Sequence, residues 1–215
     1  MKMYDFEKKL ERLGYKYIVG VDEVGRGPLA AGVLAAAVIL NPKVIIEGLN
    51  DSKQLTEKRR KLLSEEIKQK SLAYAFGYVD ENLIDEINIY QASKLAMLRA
   101  ISYLKITPDY ILSDAMPLKE QNLPFEAIIK GDTLSASIAA ASIIAKVKRD
   151  EIMDKFSVIY PDYGFSKHKG YPTRFHLDML KKLGPTKIHR KTYKPVKDCL
   201  VTQITLENLI WDIKQ

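Results

Sequence analysis

Hydrophobic positions along the chain fall into runs with two different periods, and they predict an ordered series of strands and helices. Tyr4 to Leu13 carries Phe6, Leu10 and Leu13 at helical spacing, which predicts a short leading helix. Tyr17 to Val21 is an apolar run that ends in Asp22-Glu23 and then glycines, as a buried strand running into a loop would. Gly32 to Leu40 (GVLAAAVIL) predicts a second strand and Tyr74 to Val79 a third. Ile111 to Ser113 gives a short strand ending at Asp114, and Phe125 to Ile129 another ending near Asp132.

Between and after these runs the period changes. Thr56 to Gln69 predicts a charged helix with Leu62, Leu63 and Ile67 as its apolar side. Ile89 to Leu104 places Ala92, Ala96, Ala100 and Leu104 on one stripe. Leu134 to Phe156 opens with SASIAAASIIAK, whose small side chains suit close approach to a sheet, and a last helix is expected over Arg174 to Leu183. Strands that cluster early and helices that interleave and trail predict an α/β fold, a mixed central sheet flanked by helices. With no internal repeat, low-complexity segment or Gly/Ser linker, residues 1–215 are expected to form a single domain. Tyr163 onward (163–215) is read as a C-terminal helical and loop extension.

Composition narrows the class only slightly. Hydrophobic residues make up 47% and charged residues 28%, the balance of a folded protein rather than a disordered one. Lys and Arg (34) exceed Asp and Glu (27), a basic excess compatible with a polyanionic partner but shared by many proteins that have none. Cys199 is the lone cysteine, so neither an internal disulfide nor a cysteine zinc cluster is expected, and the compartment reads as reducing and cytoplasmic. Met1 to Tyr17 has no apolar core of signal-peptide length, and Gly32 to Leu40 is too short to span a bilayer, so no membrane partner is expected.

The informative pattern is where the acids sit. Asp22-Glu23, Asp114 and Asp132 each follow an apolar run. Acids at the ends of neighbouring strands can converge although distant in sequence, and oxygen-rich clusters bind hard cations such as Mg2+ or Mn2+. Taken singly each acid also fits a turn or a helix cap, and Thr133 and Ser135 after Asp132 mark a helix start. Side chains alternate along a strand, so for Asp22 and Glu23 to share a site the strand is expected to end or bulge at the pair, with Gly25 and Gly27 just after it.

The segment GVDEVGRGPLAAG (Gly20 to Gly32) resembles the signature of the type II ribonucleases H. NDSKQL (Asn50 to Leu55), SDAM (Ser113 to Met116), KGD (Lys130 to Asp132), SIAAASIIAKV (Ser137 to Val147), HKGY (His168 to Tyr171) and IHR (Ile188 to Arg190) resemble that family too, in its order, over roughly residues 15 to 196. The resemblance implies a ribonuclease H-like fold. It also implies hydrolysis of the phosphodiester on the 5′ side of ribonucleotides, in RNA–DNA hybrids and at single ribonucleotides in duplex DNA, leaving 3′-hydroxyl and 5′-phosphate ends. By the same resemblance Asp22, Glu23 and Asp114 are metal-binding acids of a two-metal site for Mg2+ or Mn2+, and Asp132 is the fourth catalytic acid. Gly25, Arg26 and Gly27 match the loop that contacts the ribose 2′-hydroxyl, and Tyr171 the tyrosine that packs by the junction sugar. Ser52 and Lys53 fall in a segment that approaches the substrate backbone. Ala115 is a departure, since many members have glycine after the third acid. The first loop, with Arg26, and the short leading helix fit type II rather than type III.

The remaining features carry less. Lys167, His168 and Lys169, with Arg174, Lys181 and Lys182 nearby, suit either a phosphate-facing surface or a solvated helix face. Asp150 sits in a charged run where helical ion pairs are the default. His168, His176 and His189 have no zinc spacing and read as polar surface or loop residues. Leu206, Leu209 and Ile210 in the tail Gln203 to Trp211 are expected to pack onto the domain rather than to dock on a clamp. A monomer is expected. Two competing readings are a non-catalytic nucleic-acid clamp and a resolvase- or transposase-type phosphoryl-transfer enzyme on the same fold. The four acids argue against the first, and GRG and HKGY against the second.

Overall fold

The structure is a computed structural model and describes residues 3–49 and 55–201. Ser52 and Lys53, and the tail from Gln203, lie outside the described residues. Five strands form one mixed sheet: β1 (Ile18–Val24), β2 (Val33–Ile39), β3 (Ala73–Val79), β4 (Tyr110–Asp114) and β5 (Phe125–Ile128). Their spatial order is β3-β2-β1-β4-β5. The pairs β1–β2 and β2–β3 are antiparallel, while β1–β4 and β4–β5 are parallel. Every residue of β2 is buried, as a strand covered on both faces requires.

Alternation along β1 and β2 divides the core between the two faces. Val19, Val21, Ala35 and Ala37 pack with Ala92, Ala96 and Ala100 of helix α3 (Glu81–Ser102). Leu34, Ala36 and Val38 pack on the other side with helices α2 (Glu57–Lys70) and α4 (Ala136–Ile159). The alanine stripe of α3 is fully buried, which lets that helix lie close to the sheet. On the opposite face a Cβ at Gly20 would sit 2.1 Å from the carbonyl carbon of Ser137, so α4 rests directly on the β1 backbone. Glycine at position 20 is therefore a packing requirement.

Two differences from the expected helices have local causes. Helix α3 begins at Glu81, eight residues before the expected Ile89, because Asp80 caps it through the Leu83 N–H and the chain then kinks at Asn88 (φ 67°). The Asn88 side chain accepts from the N–H groups of Tyr90 and Gln91, restarting the helix where the apolar stripe begins. In α2, Leu63 and Ile67 are buried but Leu62 is 57% exposed, so Leu62 lies off the apolar face on which it was placed.

The leading helix α1 (Asp5–Arg12) is anchored by a buried acid. Glu7 Oε1 accepts hydrogen bonds from Ser135 Oγ, Ser137 N–H and Ser137 Oγ at the start of α4. A carboxylate at a helix N-terminus is favoured by the exposed N–H groups and the helix dipole. Beyond α4, a short helix α5 (Phe165–His168) and α6 (Arg174–Leu183) follow, and residues 194–201 are helical again. Among the described residues no helix is long and apolar enough to cross a membrane.

Candidate active site

The acids meet where the sheet is left open. The β1–β4 ladder ends at the pair Val21–Ser113, whereas β1 runs on to Val24, still paired with β2. Past Val21 the β4 side of β1 is unpaired, and Asp22 and Glu23 flank the resulting notch. The strand neither ends nor bulges at the pair: Asp22 stands opposite Ala36 and Glu23 opposite Ala35 in unbroken register. That corrects the expectation from alternation. Both side chains line one cavity, where β1 runs on past the end of its ladder with β4.

Asp114 closes β4 and Asp132 sits in the helical turn Gly131–Thr133; both line this same cavity of about 500 Å³. Asp114 Oδ1 accepts from the Gly131 N–H, which ties the end of β4 to the turn that carries Asp132. Helix α4 is capped by Ser135, whose Oγ accepts from the Ile138 N–H, so the cap reading of Asp132 falls. Ala115 adopts φ 53°, a left-handed conformation that favours glycine, at the position where the signature departs.

Electrostatics distinguish these carboxyls from surface acids. Burial pushes the Asp22 carboxyl well above the usual range, and Glu23, Asp114 and Asp132 push it further, against a hydrogen bond with Ser142. Burial also raises Glu23, while Arg26, 3.3 Å away, pulls it back. Glu23 Oε2 is buried without a hydrogen-bond partner among the described residues. Among those residues no three His, Cys, Asp or Glu side chains stand at metal-holding spacing as they are; the acids line the cavity wall rather than converging on a point. An all-oxygen donor set of like charges that repel one another, with an unpartnered buried oxygen, fits a hard divalent cation.

The Gly25–Gly27 loop stands beside the acids. Gly25, Arg26 and Gly27 line the cavity, and so does Tyr171. Gly25 has φ 98°, and a Cβ there would lie 2.2 Å from Arg149 Nε, so glycine is required by conformation and by clearance. A Cβ on Gly27 would touch Tyr171 Cε1 at 3.3 Å. The HKGY block reaches the loop through the Leu29 N–H, which donates to Gly170 O at 2.8 Å.

Three polar cavity residues are not singled out from the sequence as site residues: Arg60, Ser142 and Lys146. Asp150 pairs with Lys146 at 2.5 Å and Arg60 at 3.6 Å, so it is an ion-pair residue that holds two cations at the cavity edge. Helical spacing puts Ser142 and Lys146 on one face of α4, but only the packing of α4 on β1 shows that the face meets the acids.

Two of the histidines are not surface residues, and the third, His168, is half-buried. His176 and His189 are buried, their Nε2 atoms 3.0 Å apart, and His168 stacks on His176 at 4.5 Å. The basic stretch is divided: Lys169 pairs with Asp154, whereas Lys167, Arg174, Lys181 and Lys182 are exposed.

Residues 19–196 match the family description Ribonuclease HII. The chain belongs to the ribonuclease HII family. A ribonuclease HII of Bacillus cytotoxicus is 48% identical over 204 residues, which cover 95% of this chain and 78% of the relative. Among solved structures, ribonuclease H2 of Pyrococcus horikoshii OT3 superposes with a TM-score of 0.74 at 27% identity, covering 86% of this chain and 97% of that one. Bst-RNase HIII in complex with Mn2+ aligns with a TM-score of 0.65 at 18% identity over 89% of this chain and 71% of that one, a likeness of fold. As a ribonuclease HII family member the chain is an RNase H endonuclease, a metal-dependent hydrolase.

Proposed function

We propose that the enzyme cuts on the 5′ side of ribonucleotides, both in RNA–DNA hybrids and at single ribonucleotides embedded in duplex DNA, leaving 3′-hydroxyl and 5′-phosphate ends. The observation that carries this reading is one cavity lined both by four acids and by the Gly25–Gly27 loop with Tyr171. It sets the place for phosphate chemistry beside a backbone able to approach a sugar.

Asp22, Glu23 and Asp114 would hold the metal, and Asp132 would complete the set. Bound there, two Mg2+ or Mn2+ ions would activate water and neutralise charge during an in-line displacement. The chain's own groups do the selecting. The 2′-hydroxyl, donor and acceptor at once, separates RNA from DNA locally. Backbone N–H and C=O groups of the Gly25–Gly27 loop read it, and the Tyr171 ring packs by the neighbouring deoxyribose. Arg60 and Lys146, with Ser52 and Lys53, approach the phosphate backbone. We read residues 1–215 as one catalytic unit with 163–215 as its extension, working as a cytoplasmic monomer in ribonucleotide excision and in DNA replication and repair.

The test is a labelled duplex with one ribonucleotide and a long RNA–DNA hybrid, each incubated with EDTA, Mg2+ or Mn2+. Cleavage of both only with a divalent ion is expected. Cleavage in EDTA, or of the hybrid alone, overturns the reading.

A further inference from the structure

Two arginines are buried behind the reading loop, and neither meets an acid. Arg149 and Arg190 are 1% and 0% exposed. No carboxylate among the described residues forms an ion pair with either. A buried guanidinium needs compensation. Backbone carbonyls supply it to Arg190 at every nitrogen, and to Arg149 at both Nη atoms while its Nε has no partner among the described residues. Arg190 Nη2 donates to Gly25 O at 2.5 Å, Nη1 to Arg26 O at 2.8 Å, and Nε to Ala31 O at 2.8 Å. Tyr193 accepts from Nη1 at 2.8 Å, and its hydroxyl contacts Arg26 O at 2.6 Å, so one phenol bridges guanidinium and loop. Arg149 donates to Lys169 O and Ala30 O, bracing the chain on either side of the HKGY contact.

This clamp fixes more than position. In a trans peptide the C=O and N–H point in opposite directions. With the carbonyls of Gly25 and Arg26 held on the guanidinium, the N–H groups of Arg26 and Gly27 turn away from it. Among the described residues neither N–H makes a hydrogen bond. A carbonyl that accepts from a cation also polarises its peptide, so the N–H on the other end becomes a stronger donor. The loop lines the cavity while Arg190 stays behind it.

We infer that Arg190 is a positioning residue for ribose selectivity: by holding the carbonyls of Gly25 and Arg26 it presents two uncommitted, polarised N–H groups to the 2′-hydroxyl. The inference rests on the proposed reading of the Gly25–Gly27 loop and adds what sets its orientation. Tyr193 acts in the same clamp through Arg26 O. A lysine at position 190 has a compact ammonium in place of the rigid fork and cannot span three carbonyls.

The experiment compares wild type, Arg190→Lys and Tyr193→Phe. Affinity is measured in EDTA for a single-ribonucleotide duplex and for the matching all-DNA duplex, alongside kcat and KM on the former and the melting temperature. Arg190→Lys should lower the ratio of the two affinities about tenfold, the worth of one to two hydrogen bonds, and leave the all-DNA affinity within about twofold. Tyr193→Phe should lower the ratio about threefold with little change in melting temperature. A merely structural role would lower both affinities together and leave the ratio untouched, which overturns the inference. Should Arg190→Lys fail to fold, Tyr193→Phe decides alone, and an unchanged ratio there is equally fatal. A wild-type enzyme that does not distinguish the two duplexes defeats the proposed reading of the loop itself. A discriminating wild type with unaltered variants defeats only the clamp.

Discussion

Acid should unfold this enzyme through a histidine pair, and the size of the effect can be worked out from its hydrogen bonds. His189 Nδ1 accepts from the Thr186 N–H at 2.8 Å, so the ring's proton sits on Nε2 and is donated to His176 Nε2 at 3.0 Å. His176 must then carry its own proton on Nδ1, where it donates to Tyr171 O at 2.9 Å. Every ring nitrogen of the pair is committed in the neutral form. A second proton on His176 Nε2 would face the donor at His189 Nε2, and one on His189 Nδ1 would face the Thr186 N–H, with the Thr186 hydroxyl as its acceptor among the described residues. Burial holds His176 down to about 4, and burial with the neighbouring His176 holds His189 down to about 3. Both folded values lie below the unfolded value of about 6.5, so the unfolded chain binds more protons and stability falls as pH drops through 6.5. At about 1.4 kcal/mol per pH unit, each ring costs about 2 kcal/mol between pH 6.5 and 5.0, and the pair about 4 kcal/mol. That is a large part of a domain's typical ~5–15 kcal/mol. The assay is urea unfolding at pH 7.5 and 5.0 for wild type and His189→Gln, which leaves one titrating ring of the pair. The raised carboxyls of Asp22 and Glu23 push the other way, but equally in both proteins. His189→Gln should therefore lose about 2 kcal/mol less than wild type over this interval. Equal losses would refute the reasoning.

Asp22→Asn, Glu23→Gln and Asp114→Asn should each abolish detectable cleavage in saturating Mg2+, and Asp22→Asn should raise the melting temperature in EDTA by removing a buried, repelled charge; a near-normal rate in any of them counts against the metal role. Gly20→Val should destabilise by at least ~1–3 kcal/mol in denaturant titration, because its Cβ would meet the Ser137 backbone at 2.1 Å; an unchanged midpoint would mean that α4 can shift. Neutralising Lys53 should flatten the salt dependence of binding by about one unit for one lost phosphate contact, read from the slope of log affinity against log salt.

Much of this was legible in the sequence because local rules and tertiary structure agree. The alanine stripe of α3 and the SASIAAASIIAK opening of α4 are small because both helices lie close on a sheet, and acids after apolar runs do lie at its open end. The misreadings share one cause, that tertiary packing rather than local sequence decides them. Leu62 follows the helical period, yet it stays 57% exposed while its neighbours Leu63 and Ile67 are buried. His176 and His189 are polar, and only the packing of Tyr163 and Phe165 around them makes them core. Arg190 lies 165 positions from the Gly25 carbonyl it holds, and no spacing rule connects them. Asp22 and Glu23 share a cavity without a bulge because of where β4 stops, a fact about a different strand.

The central claim is that this enzyme detects one 2′-hydroxyl in duplex DNA, and mapping its cut tests that most directly. A duplex end-labelled on the ribonucleotide-containing strand is digested in Mg2+ beside an all-DNA duplex of the same sequence, and the products are resolved at single-nucleotide resolution. The account predicts one cut, on the 5′ side of the ribonucleotide, with a 3′-hydroxyl on the upstream fragment and no cut in the all-DNA duplex. Comparable cutting of the all-DNA duplex, or a cut on the 3′ side of the ribonucleotide, would contradict it.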